Sequence, residues 1–343
     1  MSLSDQVPPT LETIAKKCRV SKVTVSLALR NSPRISSSMR ARVAQVAAEL
    51  GYTPNPMVSA LMTSLRSTRK TKFVCNLGFI TSFPTQDGWK ENPSFARYLI
   101  GATARATALG YGIETLWIRE KSPADLSRTM HLRGIRGLLL APLPSYGMPL
   151  SLSWDPFATV AFGHTFTEIP VHRVTNSQFH TLSLAMDQCQ KRGHRRIGLA
   201  MPKFVDAKVE SRWLAGYLAW QYTHPELAKI EPLLIDQFDE ATVVAWMKKE
   251  KPDAVLANHG PILTWMRKNG FRVPDDVSFI HLNWTPEKGE LSGTNQQPEE
   301  IGAAAVDLLA EQINQNRRGI PQKPKTITLE SLWHEGTTCP DRR

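Results

Sequence analysis

Thr10-Leu-Glu-Thr-Ile-Ala-Lys-Lys-Cys18 and Ser21-Lys-Val-Thr-Val-Ser-Leu-Ala-Leu-Arg30, separated only by Arg19 and Val20, decide how the start of this chain folds. Thr10 is a helix N-cap, Leu11, Ile14, Ala15 and Cys18 recur at helical spacing behind it, and Glu12 sits near the positive helix start. Ser21 is a second cap. In the helix it opens, Val25, Ala28 and Leu29 share one side, while Lys22, Val23, Ser26, Leu27 and Arg30 point the other way. Asn31-Ser-Pro33 breaks that helix and Ser36-Ser-Ser38 offers a new cap. Met39, Val43, Val46, Ala47 and Leu50 then form a third apolar stripe, closed by Gly51. Three short helices around one core are predicted.

Caps and apolar stripes occur in any helical protein, so charge is needed to give the segment a purpose. Residues 1–70 hold eleven Lys or Arg against three acids, so +8 of the chain's formal +11 lies there. A basic field concentrated on one small helical unit favours a phosphate-binding surface over a merely solvated face.

The spaced motifs Thr10-Leu-Glu-Thr-Ile-Ala15, Val20-Ser-Lys-Val-Thr-Val-Ser26, Ile35-Ser36 and Leu50-Gly-Tyr-Thr-Pro-Asn55 closely resemble the head of the LacI/GalR family of bacterial transcription regulators. The resemblance implies that Lys22, Val23 and Leu27 read the major groove. It also implies that Thr10, Ser21, Thr24, Ser26, Arg30, Arg34, Ser36, Tyr52 and Asn55 lie near the DNA backbone. The family often has Arg where Leu27 stands and a polar residue where Val23 stands, so a different operator sequence is expected.

At 343 residues, 41% hydrophobic and 21% charged, the chain suits a small domain plus a large one. No apolar run is long enough to span a bilayer and the start lacks a signal-peptide core, which points to the cytoplasm. Cys18, Cys75, Cys189 and Cys339 are scattered, with no zinc-like spacing and no disulfide density, as expected in a reducing compartment.

Tyr52-Thr-Pro54-Asn-Pro56 ends the head, because closely spaced prolines interrupt helix. Asn55 is then a cap for a short helix over Met57–Leu65 that is marginal alone. It reads equally as an ordinary linker. The family resemblance implies a hinge helix that pairs with its two-fold mate in the minor groove, with Leu61 as the wedge between base pairs.

Beyond Lys70, strand and helix alternate. Strands are expected over Phe73–Ile80, Ile113–Ile118, Gly137–Ala141, Ala158–Gly163, Ile197–Met201, Leu233–Ile235, Ala254–Ala257, Val277–Leu282 and, last, Thr326–Leu332. Helices fall near Phe95–Leu109, Ala124–Leu132, Thr181–Arg192, Val209–Gln221, Ala241–Lys249, Pro261–Asn269 and from Pro298. Such alternation calls for parallel sheets with helices on both faces, in two α/β halves. The fold class is therefore α/β: a small all-α helix-turn-helix domain plus a two-lobed parallel-sheet domain. Arg192-Gly-His-Arg-Arg-Ile197, Leu214-Ala-Gly-Tyr217 and Gly270-Phe-Arg-Val-Pro-Asp-Asp-Val277 make the second part similar to the family's effector domain, itself like periplasmic sugar-binding proteins. Expected divisions are 1–55 for the head, 56–71 for hinge and linker, 72–334 for effector binding and dimerisation, and 335–343 for a mobile tail.

A crevice between such lobes, at the carboxyl ends of their strands, is where a small molecule would bind. By resemblance, Ser82, Phe83, Phe95, Trp213, Asn258, Asn283 and Gln296 surround it. Aromatic rings would stack on a sugar and amides would meet its hydroxyls. Each of these also has an ordinary reading as a core, turn or solvated residue. Sugar-binding members usually carry Arg where Trp213 stands and Asp where His259 and Asn283 stand, which predicts a neutral, apolar-faced ligand or none at all.

No phosphate loop, zinc helix or nucleophile turn is present, and His194 beside Gly193 is expected to pack at a helix-to-strand turn. An enzyme is not expected, and neither is a metal or cofactor. The sequence thus reads as a cytoplasmic homodimeric regulator, in all expectation a repressor. By that resemblance it is expected to grip a pseudo-palindromic double-stranded DNA operator and to respond to a small, sugar-like effector. The alternatives are a small-molecule binding protein of another role, or a regulator that no longer answers to a ligand.

Overall fold

In the computed structural model, which describes residues 10–52, 73–120, 122–258 and 261–343, the head is three helices: α1 (Leu11–Cys18), α2 (Lys22–Leu29) and α3 (Ser37–Glu49). Each begins where the sequence offers a cap. Thr10 Oγ1 accepts from the Thr13 N–H at 3.3 Å and the Thr13 hydroxyl accepts from the Thr10 N–H in return. Ser21 and Ser36 accept from Thr24 and Met39 at 3.0 and 3.3 Å. Eight-residue helices are not stable alone, so the shared core of Ile14, Ala15, Cys18, Val25, Ala28, Val43 and Ala47 must hold them.

Lobe 1 is a parallel sheet of β1 (Cys75–Thr81), β2 (Tyr111–Trp117), β3 (Ile135–Leu140), β4 (Ala158–Phe162), β5 (His172–Asn176) and β11 (Thr326–Leu329), ordered β11-β5-β4-β3-β1-β2. Lobe 2 repeats that order as β12-β10-β9-β8-β6-β7. Its strands are β6 (Ile197–Pro202), β7 (Leu233–Ile235), β8 (Ala254–Ala257), β9 (Ser278–His281), β10 (Gly293–Asn295) and β12 (Leu332–His334), with only β12 running antiparallel. β4, β6, β8 and β9 are buried along their whole length, as strands covered on both faces must be.

Three features differ from the expectation. Thr326–Leu332 is not one strand: β11 pairs with β5 in lobe 1 and β12 with β10 in lobe 2, so the chain changes lobes at Glu330-Ser331. β5 and β10 are strands the sequence pattern does not announce, because both carry polar residues that the fold buries. The helix expected over Val209–Gln221 starts only at Arg212, as α8 (Arg212–Thr223), because Glu210 and Ser211 adopt left-handed φ values of 57° and 56°; a separate short helix, α7 (Lys203–Ala207), precedes it.

The chain passes between lobes three times: from β5 through Ser177 into α6 (Gln178–Lys191), from β10 through Gln297 into α11 (Pro298–Asn314), and from β11 to β12. Side chains tie the passages together. Thr181 and Ser331 hydroxyls meet at 2.7 Å, the Gln297 amide donates to the Glu330 carbonyl at 2.6 Å, and the Ser177 N–H donates to the Leu329 carbonyl at 2.8 Å.

The expected tail over 335–343 is corrected in its first half. Thr338 and Cys339 are buried: the Thr338 hydroxyl donates to the Phe279 carbonyl, and Cys339 packs in the lobe 2 core with Cys189. His194 is buried at its turn as expected, with Nδ1 3.5 Å from Asp253 and Nε2 3.7 Å from the Cys339 sulfur. Beyond it, the Arg342 N–H donates to the Arg192 carbonyl at 3.0 Å.

α11 returns to lobe 1 and crosses α4 (Pro93–Leu109) at Gly101 and Gly302. A Cβ on Gly101 would strike the Glu299 carbonyl and one on Gly302 the Tyr98 carbonyl, so the two backbones touch only because both positions lack side chains. Gly302→Ala should therefore lower stability by ~1–3 kcal/mol despite the better helix propensity of Ala. A thermal melt matching wild type would show that the crossing yields freely.

Candidate functional site

Two surfaces carry candidate chemistry, the outward face of α2 and the cleft between the lobes. On α2, Val25 and Ala28 are buried, while Val23 is 67% exposed and Lys22 and Arg30 are exposed. Leu27 and Ser26 are partly covered at the same face. A valine so exposed on a well-packed helix has no partner to stabilise it within the head. Lys22 Nζ lies 2.7 Å from Glu12, whose carboxyl it holds below the usual range, so an approaching anion or base edge must draw Lys22 away from an existing partner. Arg30 donates to the Ser26 carbonyl and hydroxyl at 3.0 and 2.8 Å, which fixes the guanidinium along the helix.

The remaining head candidates divide by their present bonds. Thr10, Ser21 and Ser36 are caps, and the Ser21 and Thr24 hydroxyls meet at 2.8 Å. Arg34 is exposed, and Tyr52 packs against the head core. The N-terminal ends of α1, α2 and α3 thus present hydroxyls and free N–H groups beside basic residues, an arrangement suited to phosphate oxygens. Asn55 and Leu61 lie outside the described residues, as does His259.

The cleft is formed at the carboxyl ends of the strands. Asn283, after β9, exchanges hydrogen bonds of 2.9 and 3.2 Å with Ser94 on α4, so a lobe 2 amide is held against lobe 1 next to Phe95. Phe83 and Phe95 stand edge to face at 6.3 Å, and the aromatic run continues through Tyr98 to Phe162. Ser82 is buried, and its carbonyl accepts from Arg119 at 3.0 Å. Asn258, after β8, has an Oδ1 with no hydrogen-bond partner among the described residues; the same holds for Thr81 Oγ1 and His164 Nε2 at the lobe 1 strand ends. Buried polar atoms without partners cost about 1–3 kcal/mol each, and ligand-binding clefts are where such atoms are retained.

Two of the sequence candidates are already engaged in packing. Trp213 is buried in the lobe 2 core beside Tyr217 and Leu282. Gln296 is buried, with its amide nitrogen donating to the Leu282 carbonyl at 2.7 Å.

Sequence reasoning missed the charged groups of the cleft. Arg97 on α4 bridges Glu287 of lobe 2, at 2.6 Å, and Glu299 at the start of α11; it holds the Glu287 carboxyl down at about 2. Across the other rim, His164 of lobe 1 lies 4.0 Å from Glu210 of lobe 2, which also pairs with Arg212 at 2.6 Å. Arg173 reaches the Phe166 carbonyl at 3.1 Å and His164 Nδ1 at 3.5 Å. Trp213 stands where relatives that bind sugars usually carry Arg, but guanidinium groups reach the cleft rims from Arg97, Arg173 and Arg212. Partners separated by roughly 190 residues leave no local signal; only Arg212, adjacent to Trp213, hinted at a displaced charge.

Among the described residues, no helix is long and apolar enough to cross a membrane. Residues 10–55 match the model of bacterial regulatory proteins of the lacI family, and residues 186–339 match a periplasmic binding protein-like domain. The HTH-type transcriptional repressor CytR of Escherichia coli K12 is 46% identical over 325 residues, covering 89% of each chain. The ribose operon repressor of Haemophilus influenzae is 26% identical over 345 residues, covering 94% of this chain and 98% of its own. Among solved structures, a complex of the transcriptional regulator CelR with cellobiose superposes with a TM-score of 0.55 at 22% identity, covering 96% of this chain and 99% of that one. A lac repressor dimer bound to operator and an anti-inducer gives 0.54 at 18% identity, covering 97% and 100%. These two likenesses establish the two-lobed fold with its helical head. The relatives are transcription regulators rather than enzymes.

Burial lowers the pKa of both His164 and His281 to about 4, with Arg212 and Arg173 adding repulsion at His164 and Lys288 at His281. Each folded value lies below the ordinary 6.5, so the unfolded chain binds the protons first as pH falls. Their neutral, buried forms contribute stability that is complete above about pH 6.5 and is lost progressively toward pH 4. The melting temperature should drop over that window, and the doubly substituted His164→Asn, His281→Asn protein should show a flatter profile. Parallel profiles for the two proteins would place the acid sensitivity elsewhere.

Proposed function

The chain belongs to the LacI family of bacterial transcription regulators, and on that premise we propose how its surfaces serve a DNA-binding regulator. The protein acts as a repressor in the cytoplasm, as a homodimer on a pseudo-palindromic operator whose two half-sites mirror its two-fold axis. The observation that carries this reading is the outward face of α2, where an exposed valine and an exposed lysine stand on a capped, tightly packed helix in the most basic part of the chain.

Lys22 reads guanine O6 and N7, while Val23 and Leu27 meet apolar edges such as thymine methyls. Thr10, Ser21, Thr24, Ser26, Arg30, Arg34, Ser36, Tyr52 and Asn55 position the head on phosphates. Residues 56–71 connect head to lobes as a hinge, with Leu61 as the minor-groove wedge. Because Lys22 must leave Glu12 to reach a base, the pair also discriminates against binding that offers no better acceptor.

The effector is a small polar molecule of carbohydrate type, held between the lobes by Phe83, Phe95, Asn258 and Asn283, with Ser82 on the lobe 1 wall. Trp213 and Gln296 shape the lobe 2 wall from behind. Supporting this are the unpartnered Asn258 oxygen, the aromatic pair and the interlobe Ser94–Asn283 bond. The CelR–cellobiose complex and the ribose operon repressor favour a sugar-like ligand. Effector and operator need only differ in affinity for two lobe arrangements, by ~1–3 kcal/mol, to be coupled.

Lys22→Ala should cost ~1–3 kcal/mol of operator affinity and relax one base position. Selection from random duplexes tests this: an unchanged preference removes Lys22 from the reading set. Asn258→Ala should move the midpoint of a carbohydrate response tenfold or more while leaving ligand-free operator binding near wild type, since losing a hydrogen bond to ligand costs about 1.4 kcal/mol or more. A response to a saccharide panel with unaltered midpoint would take Asn258 out of the cleft's working set.

A further inference from the structure

At the end of lobe 1 opposite the cleft, where the strands begin, Arg136, Arg317 and Arg318 line a cavity of about 220 Å³ together with Val74 and Cys75. We propose that this end is a second DNA-contacting surface, which grips backbone phosphates next to the site held by the head. The inference rests on the DNA-binding reading above and adds to it a part for the effector domain itself.

The first support is the state of the arginines. Elsewhere in lobe 1, Arg97, Arg105 and Arg133 each pair with a carboxylate. Among the described residues, Arg136 and Arg317 have no carboxylate partner, and Arg318 spends one nitrogen on the Asn316 side chain at 2.8 Å. Exposed Lys323 and Lys325 extend the patch toward β11. The acids near it are Asp155, beside Gly319, and Glu311, which already accepts from Gln315 at 3.2 Å. Guanidinium groups held close together with no carboxylate bonded to them repel one another. A phosphodiester, whose two free oxygens match the guanidinium fork, relieves that repulsion.

The second support is position. The chain arriving from the head enters lobe 1 at Phe73-Val74, on the wall of this cavity. The head lies against the same end. The Asn316 amide donates to the Asn31 carbonyl, and Arg30 and Arg40 of the head face Arg317 across a second cavity of about 730 Å³. Cationic side chains of head and lobe therefore line two adjoining cavities that share Arg317, on the end of lobe 1 that the head touches. Arg136 on β3, with Arg317 and Arg318 in the segment just past α11, would sense the lobe that holds them, so their grip would change as that lobe moves.

The test uses the full-length protein carrying R136Q, R317Q and R318Q together, with operator duplexes of about two and about four helical turns, across a salt series. Wild type should bind the longer duplex more tightly. The variant should lose that advantage, with base preference unchanged, and its slope of log affinity against log salt should fall by roughly 0.9 for each phosphate released. Equal slopes and an intact length advantage in the variant overturn the inference while leaving the head reading standing. Failure of wild type to bind any operator duplex overturns the DNA reading and this inference with it. Titration with inorganic phosphate at constant ionic strength forms a separate arm: millimolar binding abolished by the substitutions, with an unchanged salt slope on DNA, reassigns the cavity to a free anion and also overturns the proposal.

Discussion

Everything that couples in this molecule depends on three short stretches of backbone passing side by side between two sheets. Ser177, Gln297 and Glu330-Ser331 are pinned to one another by backbone and side-chain hydrogen bonds, so the lobes cannot translate freely. They can rotate about those passages, because rotation there changes a few dihedrals while each lobe keeps its own core. Two packed bodies joined in this way respond to a ligand as alternative arrangements rather than as continuous deformation. The Gly101–Gly302 crossing makes α11 part of lobe 1, so the middle passage ends in a rigid anchor rather than a loose arm.

The rims of the cleft already carry bonds between lobes. Ser94–Asn283 and Arg97–Glu287 join them on one side, and His164 faces Glu210 on the other. A ligand entering here exchanges these contacts for its own, and only the difference between the two sets shifts the equilibrium. Arg97–Glu287 is open to solvent on its carboxylate side and His164 is neutral well above pH 4, so a neutral ligand with several hydroxyls competes with these contacts without having to match their charge. The more consequential pair is Ser94–Asn283, where an amide and a hydroxyl adjacent to the aromatic edge of Phe95 offer both donor and acceptor capacity.

The head was legible in the sequence because its determinants are local. Caps at Thr10, Ser21 and Ser36 and stripes at helical spacing specify helices and their buried faces within a few residues; every fully buried residue of the head core lies on those stripes, and Leu11, Leu29, Met39, Val46 and Leu50 pack against it partly buried. The alternating lobes were legible for the same reason wherever strands are purely apolar, as in Ala158–Phe162. β5 and β10 were not, since they carry polar residues that only distant segments bury: His172, at the start of β5, accepts from the Lys325 N–H, 153 residues further along the chain. Cleft candidates fared unevenly. Phe83, Asn258 and Asn283 follow strand ends and Phe95 lies beside the Ser94–Asn283 bond between lobes, whereas Trp213 and Gln296 turn to the core, a choice made by neighbours far away in sequence. The Arg97–Glu287 and His164–Glu210 contacts had no signature at all, because only the fold brings their halves together.

Splitting the last strands between two sheets also has a bearing on synthesis. β11 fills an edge of lobe 1 and β12 an edge of lobe 2, yet both come from Thr326–His334, later than nearly all the residues they pair with. Neither sheet is complete while the ribosome is still making α11. A nascent chain therefore displays two open strand edges, on β5 and β10, until the same short segment emerges and closes both. Such edges are templates for mispairing, and closing the one on β5 needs contacts between residues as distant in sequence as Arg173 and Thr326. Growth temperature and translation rate should thus bear on yield more than on the properties of the finished molecule, and chaperones that shield strand edges have a defined interval in which to act.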